Sequence, residues 1–111
     1  MSEQKSLVSK AFQTFLAEAP EQAQAWGALV QSLAQASALD AKTGALAYLA
    51  VLAALNRTSG IPFHVQGAKR AGASREEVIS AILVGLPAAG HIVTQALPVA
   101  VEAYDAELPS G

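Results

Sequence analysis

Asp40-Ala41-Lys42-Thr43-Gly44-Ala45-Leu46-Ala47-Tyr48-Leu49-Ala50-Val51-Leu52-Ala53-Ala54-Leu55 is the stretch that decides the fold. Asp40 precedes an apolar run and reads as the N-cap of a helix over about 41–56, because a short carboxylate there accepts from an otherwise orphaned backbone N–H. From Thr43 to Leu55 there is no charge, and Leu46, Tyr48, Leu49, Val51, Leu52 and Leu55 point around most of the circumference. A helix of that kind has to be covered on nearly every side.

The flanking segments have the same helical period. Leu7, Val8, Phe12, Phe15 and Leu16 share one face of a helix over about 3–18. Pro20 ends it, and a second helix over about 21–37 carries Trp26, Leu29, Val30 and Leu33. After Arg57-Thr58-Ser59-Gly60, Pro62 suits the first turn of a fourth helix that ends at Gly72. Ser74-Arg75-Glu76-Glu77 is a capping box for a fifth, in which Val78, Ile79, Ile82, Leu83 and Leu86 form one stripe and Ala81, Gly85 and Ala89 line the other side. Gly90 leads to a sixth helix over about 91–106, which Pro98 should kink. The expectation is an all-α fold of about six helices forming one domain over 1–111.

Composition limits what such a fold can do. Apolar residues make up 52% of the chain and charged residues 14%, against a usual charged share of roughly 25%. Too little polar surface exists to cover a monomer, so a homo-oligomer is expected. A net charge of −2 and a pI near 5.6 supply no basic patch for nucleic acid or an anionic membrane. Between Glu77 and Glu102 His91 is the sole titratable side chain, yet Pro87, Gly90, Thr94, Gln95 and Pro98 interrupt the run, so no membrane span is expected. The N-terminal residues lack the basic and apolar regions of a secretory leader, which points to a cytoplasmic protein.

The chain has no cysteine, which removes disulfides, thiolate metal ligands and thiol catalysis together. No histidine spacing suits a metal, and P-loops, dinucleotide fingerprints and serine-nucleophile motifs are absent. Neither a metal nor a cofactor is expected. Arg57, His64 and His91 are the groups that chemistry can use. Arg57 either complements the carbonyls at the end of the third helix or holds an anion. His64 lies early in the fourth helix, where the dipole favours the neutral imidazole. It is either a packed ring or a base, with small Gly67, Ala68 and Ala71 near it. His91 sits at a helix start, with Thr94 one turn further on.

Leu39-Asp40-Ala41-Lys42-Thr43, the apolar helix, Arg57-Thr58 through His64, and Ala71-Gly72-Ala73-Ser74-Arg75-Glu76-Glu77-Val78 together resemble the carboxymuconolactone decarboxylase family, over about 22–105. That family includes alkylhydroperoxidase D-like proteins, whose motif is a glutamate followed by C-x-x-C-x-x-x-H. The histidine of the motif falls on His64, whereas its cysteines fall on Arg57 and Gly60 and its glutamate on Ala45. Peroxidase activity of the peroxiredoxin type is therefore excluded. The decarboxylase branch is similar in having an arginine-threonine pair before the histidine, although Ser59-Gly60 stand where an acidic residue is expected.

The resemblance implies an alkylhydroperoxidase D-like helical fold, assembled as a trimer or hexamer with sites near subunit contacts. It also implies a cofactor-independent lyase acting on a small carboxylated ring or lactone. Arg57 and His64 would be its catalytic pair, with Arg57 and His91 binding the substrate carboxylate. The alternative is a catalytically silent oligomer of the same fold that binds a small ligand.

Overall fold

The computed structural model describes residues 8–106. Among them are seven α-helices, two 3-10 turns and no strand, and six of the helices are nine residues or longer. No helix of the described residues is long and apolar enough to cross a membrane.

The first two helices form a hairpin. α1 (Lys10–Glu18) starts at Lys10, later than the expected residue 3, because the Ser9 hydroxyl accepts from the Phe12 N–H at 3.1 Å and fixes the cap there. Leu7 and the residues before it lie outside the described residues. α2 (Pro20–Ala36) carries its proline in the first turn, where the missing N–H costs nothing. Phe12 and Phe15 meet Trp26 edge-on, with centroids 5.2 and 6.3 Å apart. Ala23 is the one buried residue of these two helices. The substantial packing partner of α2 among the described elements is α1 alone.

Residues 37–40 lead into α3 (Ala41–Ala54), capped as expected by Asp40, whose Oδ1 accepts from the Thr43 N–H at 2.7 Å. α3 is the centre of the core and packs on α4 (Ile61–Arg70), α5 (Arg75–Leu83) and the 3-10 turn His91–Ala96. It ends at Ala54, short of the expected residue 56, with Leu55 and Asn56 between it and Arg57. Asn56 takes the left-handed conformation at φ 56°, donates to Ala53 O at 3.1 Å, and lets Arg57 N–H reach Leu52 O at 2.8 Å. Gly72 at φ 101° closes α4 in the same way, with Ala73 N–H on Ala68 O at 3.0 Å. Ser74 and Glu77 then form both halves of the expected capping box.

Beyond Leu83 the structure corrects the expected helices. The fifth helix does not continue to Ala89, so Ala81, Gly85 and Ala89 never share one helical face. α5 stops at Leu83 and a four-residue α6 (Leu86–Ala89) follows. The sixth is divided into the 3-10 turn His91–Ala96 and α7 (Leu97–Asp105). Both breaks have one cause. A proline lacks the N–H and crowds the carbonyl four residues back, which is Leu83 for Pro87 and Thr94 for Pro98. Each proline instead occupies the first turn of the next helix, as Pro62 does in α4.

Leu49, Ile61, Val65, Val78, Ile82 and Val93 are fully buried where α3, α4, α5 and α7 meet. At about 1.5–3 kcal/mol for each such side chain, this apolar cluster supplies most of what holds the chain together. Polar ties then fix α7 in register. Buried Gln66 donates to Ala103 O, Tyr104 hydroxyl donates to Ala73 O at 2.8 Å, and Arg75 pairs with Asp105 at 2.9 Å. The near-complete cover expected for α3 is met on one side only: Tyr48, Val51 and Leu55 are exposed.

Candidate functional site

The 3-10 turn Thr58–Gly60 delivers the chain from the end of α3 into α4, and His64 is the fourth residue of that helix. Its ring lies on Tyr48 of α3, with centroids 4.4 Å apart and planes tilted by 42°. Phe63 meets the same ring edge-on at 5.2 Å. Gly60 closes the third side, where an added Cβ would stand 3.9 Å from His64 Cδ2 and 3.7 Å from Leu52 Cδ1, an ordinary contact. The imidazole is thus held between α3 and α4 by ring faces and aliphatic surface. Among the described residues nothing hydrogen-bonds it, so both ring nitrogens are available to a ligand or to water.

Half-burial lowers the His64 pKa below its ordinary 6.5. Removing water penalises the imidazolium, and the group is neutral at pH 7. The neutral form was expected from the helix dipole, but burial is the cause that the structure supplies. A neutral imidazole in reach of solvent can take a proton and return it.

Arg57 is exposed, and its backbone N–H, rather than its side chain, caps α3. Its guanidinium has no hydrogen bond or ion pair among the described residues. Seven positions separate it from His64, spanned by the 3-10 turn and one turn of α4. His91 is exposed at the start of the second 3-10 turn, not on the α-helix expected for it, and its carbonyl accepts from Thr94 Oγ1 at 2.8 Å. No hydrogen bond or ring contact joins His91 to His64 or Arg57 among the described residues.

Tyr48 is the residue that sequence reasoning missed as a partner of the site. It had been counted among the apolar side chains of α3, yet it is the only residue from Ala45 to Leu55 with a polar tip. An aromatic hydroxyl in an otherwise aliphatic helix was the available signal. That hydroxyl has no hydrogen-bond partner among the described residues.

An open groove of about 490 Å3 runs elsewhere, between α3 and α5, floored by Leu46, Ala47, Ala50 and Ala81. Glu76 and Glu77 are among its lining residues and no cationic side chain is, so nothing that lines it would pair with a carboxylate. Neither Arg57 nor His64 lines it. Among the described residues no three histidine or acidic side chains gather in a way that would hold a metal ion.

The helical core and the histidine opening its fourth helix define a class: an all-α protein whose candidate site is a neutral imidazole at the junction of two core helices. The chain belongs to the carboxymuconolactone decarboxylase family, which it matches over residues 20–102. It is a member without the redox cysteines, since the sequence contains none. No curated protein and no solved structure matches the chain.

Proposed function

We propose that the protein is a cofactor-independent lyase of the decarboxylase type, acting on a small carboxylated ring or lactone, with Arg57 and His64 as its catalytic pair. The observation that carries this reading is His64 itself: a half-buried imidazole, kept neutral by burial, seated on Tyr48 and free at both nitrogens. Loss of CO2 leaves the bonding electron pair on the substrate, and a proton must then reach that carbon. His64 takes a proton from the substrate or solvent and returns it to the carbon that loses the carboxylate.

Arg57 contributes a charge that no pH in the working range removes. Held against the leaving carboxylate it would stabilise the ground state and slow the reaction. Held against the lactone or enolate oxygen it stabilises charge that grows in the transition state, and held against a second carboxylate it positions the substrate. His91 joins substrate binding in this reading only if substrate or assembly brings it to the pair. The enzyme works in the cytoplasm as a homo-oligomer, a trimer or hexamer as in the family resemblance. The exposed apolar surface of α2 and α3 supports that assembly.

Titration calorimetry with a small lactone carboxylate, together with detection of released CO2, tests the pair. His64→Gln should abolish turnover while retaining binding, and Arg57→Ala should weaken binding at least tenfold. If both variants bind the carboxylate as the parent does and change only thermal stability, the catalytic pair is wrong. The same fold as a silent small-ligand binder then becomes the better reading.

A further inference from the structure

Among the described residues two apolar stripes of similar length stand exposed on α2 and α3. On α2, Trp26, Leu29, Val30 and Leu33 form one stripe, exposed from 44% at Trp26 to 62% at Leu33. On the outer side of α3, Tyr48, Val51 and Leu55 form another, exposed by 47%, 53% and 61%. Each stripe spans eight residues, about 10 Å of helix axis. Their anchors recur at helical spacing, as they do when one helix lies in the groove of another. α2 has no substantial packing on its own α3 among the described elements: residues 37–40 link the two by a bend, in which Ser37 Oγ accepts from Leu39 N–H at 3.0 Å.

We propose that α2 of one copy lies along the outer face of α3 of a second copy, and that this contact closes the open side of the Tyr48–His64 site. The inference rests on the self-assembly proposed above and names the surfaces that perform it. Each stripe exposes on the order of 400 Å2 of apolar surface, already near the largest patch a soluble monomer carries. Two reciprocal contacts about a two-fold axis, such as a hexamer of paired trimers contains, bury roughly 1,600 Å2, the area of a standard stable interface. A single contact would fall short.

Charge favours a second copy over other occupants. Glu21 is the only charged residue of α2 and Lys42 the only one of α3, and both stand in the first turn of their helices, away from the stripes. The two faces therefore meet without burying an unpaired charge. A helix without a single lysine or arginine has nothing to draw it to an anionic membrane surface or to nucleic acid. The contact also supplies what the site lacks. Tyr48 and Phe63, the two rings against His64, are each nearly half exposed, and an apolar helix laid over Tyr48 would exclude water from that side.

Absence of cysteine makes the test clean. Leu29→Cys and Val51→Cys chains, with Leu29 and Val51 at the middle of their stripes, are co-expressed with different tags and treated with a short bismaleimide. The expected product joins one chain of each kind, at twice the 11.4 kDa chain mass. Products joining only like chains, or none, overturn the proposal. A Leu29→Cys/Val51→Cys double variant that cross-links at the mass of one chain when dilute also overturns it, since α2 would then cover its own α3.

Leu33→Asp and Val51→Asp, at positions exposed in the chain, should each raise the dissociation constant about 100-fold or more by light scattering with helical content unchanged. A parent chain that stays monomeric at ~10 µM, or sediments with phosphatidylcholine vesicles instead of self-associating, sinks the proposal. These readouts are masses and cross-links, so they stand or fall separately from carboxylate binding and CO2 release.

Discussion

The α1–α2 hairpin and the core of α3, α4, α5 and α7 both contain helices with apolar stripes, but they use that surface differently. The core hides Leu49, Ile61, Val65, Val78, Ile82 and Val93 completely. The hairpin hides Ala23 and leaves Leu16, Leu29, Val30 and Leu33 in water. Within one short chain, apolar side chains therefore have two fates: burial in the core, and exposure on the hairpin. Helix signals are strong in both, so the distinction lies in what each face meets and not in propensity.

The sharpest way to break this comparison is to truncate one leucine on each side of it. Leu49→Ala should cost about 2–5 kcal/mol in urea unfolding, because it leaves a cavity among side chains that cannot all relax. Leu33→Ala should cost less than ~0.5 kcal/mol at a concentration where the chain is monomeric, as an exposed side chain loses little on truncation. Equal losses would show that the hairpin is part of the same cooperative core.

A smaller effect sharpens the core side. Ser74→Ala removes the hydroxyl that accepts from Glu77 N–H at 3.0 Å, and should cost about 1 kcal/mol by the same measurement. No loss would mean that α5 is held by its packing alone.

The smallest effect concerns His64, half-buried at the junction of α3 and α4. Its folded pKa is below the unfolded value of 6.5, so the unfolded chain binds that proton more readily. Stability from this source is complete above about pH 6.5 and declines as pH falls from there towards the folded value. The parent chain should lose thermal stability between pH 7.5 and 5.5, and His64→Phe should lose less. Parallel slopes would show that burial of this ring carries no penalty.

Much of the core was legible because its signals are local. Asp40 and the Ser74–Glu77 box cap the helices they were expected to cap, and Gly72 stands just past the end of α4. The left-handed turn at Asn56 was missed, since asparagine enters that conformation less freely than glycine and leaves a fainter mark. The breaks at Pro87 and Pro98 were underestimated: an apolar period continued across both prolines, and the period was given more weight than the lost hydrogen bond. At the site, His64 was singled out as either a packed ring or a base, and the structure seats it half-buried on Tyr48. Tyr48 itself was not singled out, because a contact between α3 and α4 depends on how two helices pack and not on spacing within either.

Glu77 carries two obligations on one side chain. Its Oε1 accepts from Ser74 N–H at 2.9 Å and starts α5, while its Oε2 meets Lys42 at 3.0 Å and joins α5 to α3 across 35 positions of sequence. The two oxygens bind a local signal to a distant one, so the two features cannot drift independently among relatives. A lineage that loses Lys42 can accept glutamine at position 77, which still offers an acceptor to the cap. One that keeps Lys42 but takes alanine there forfeits both bonds in a single step, while the Ser74 hydroxyl still accepts from the backbone N–H of residue 77 and holds the start of α5.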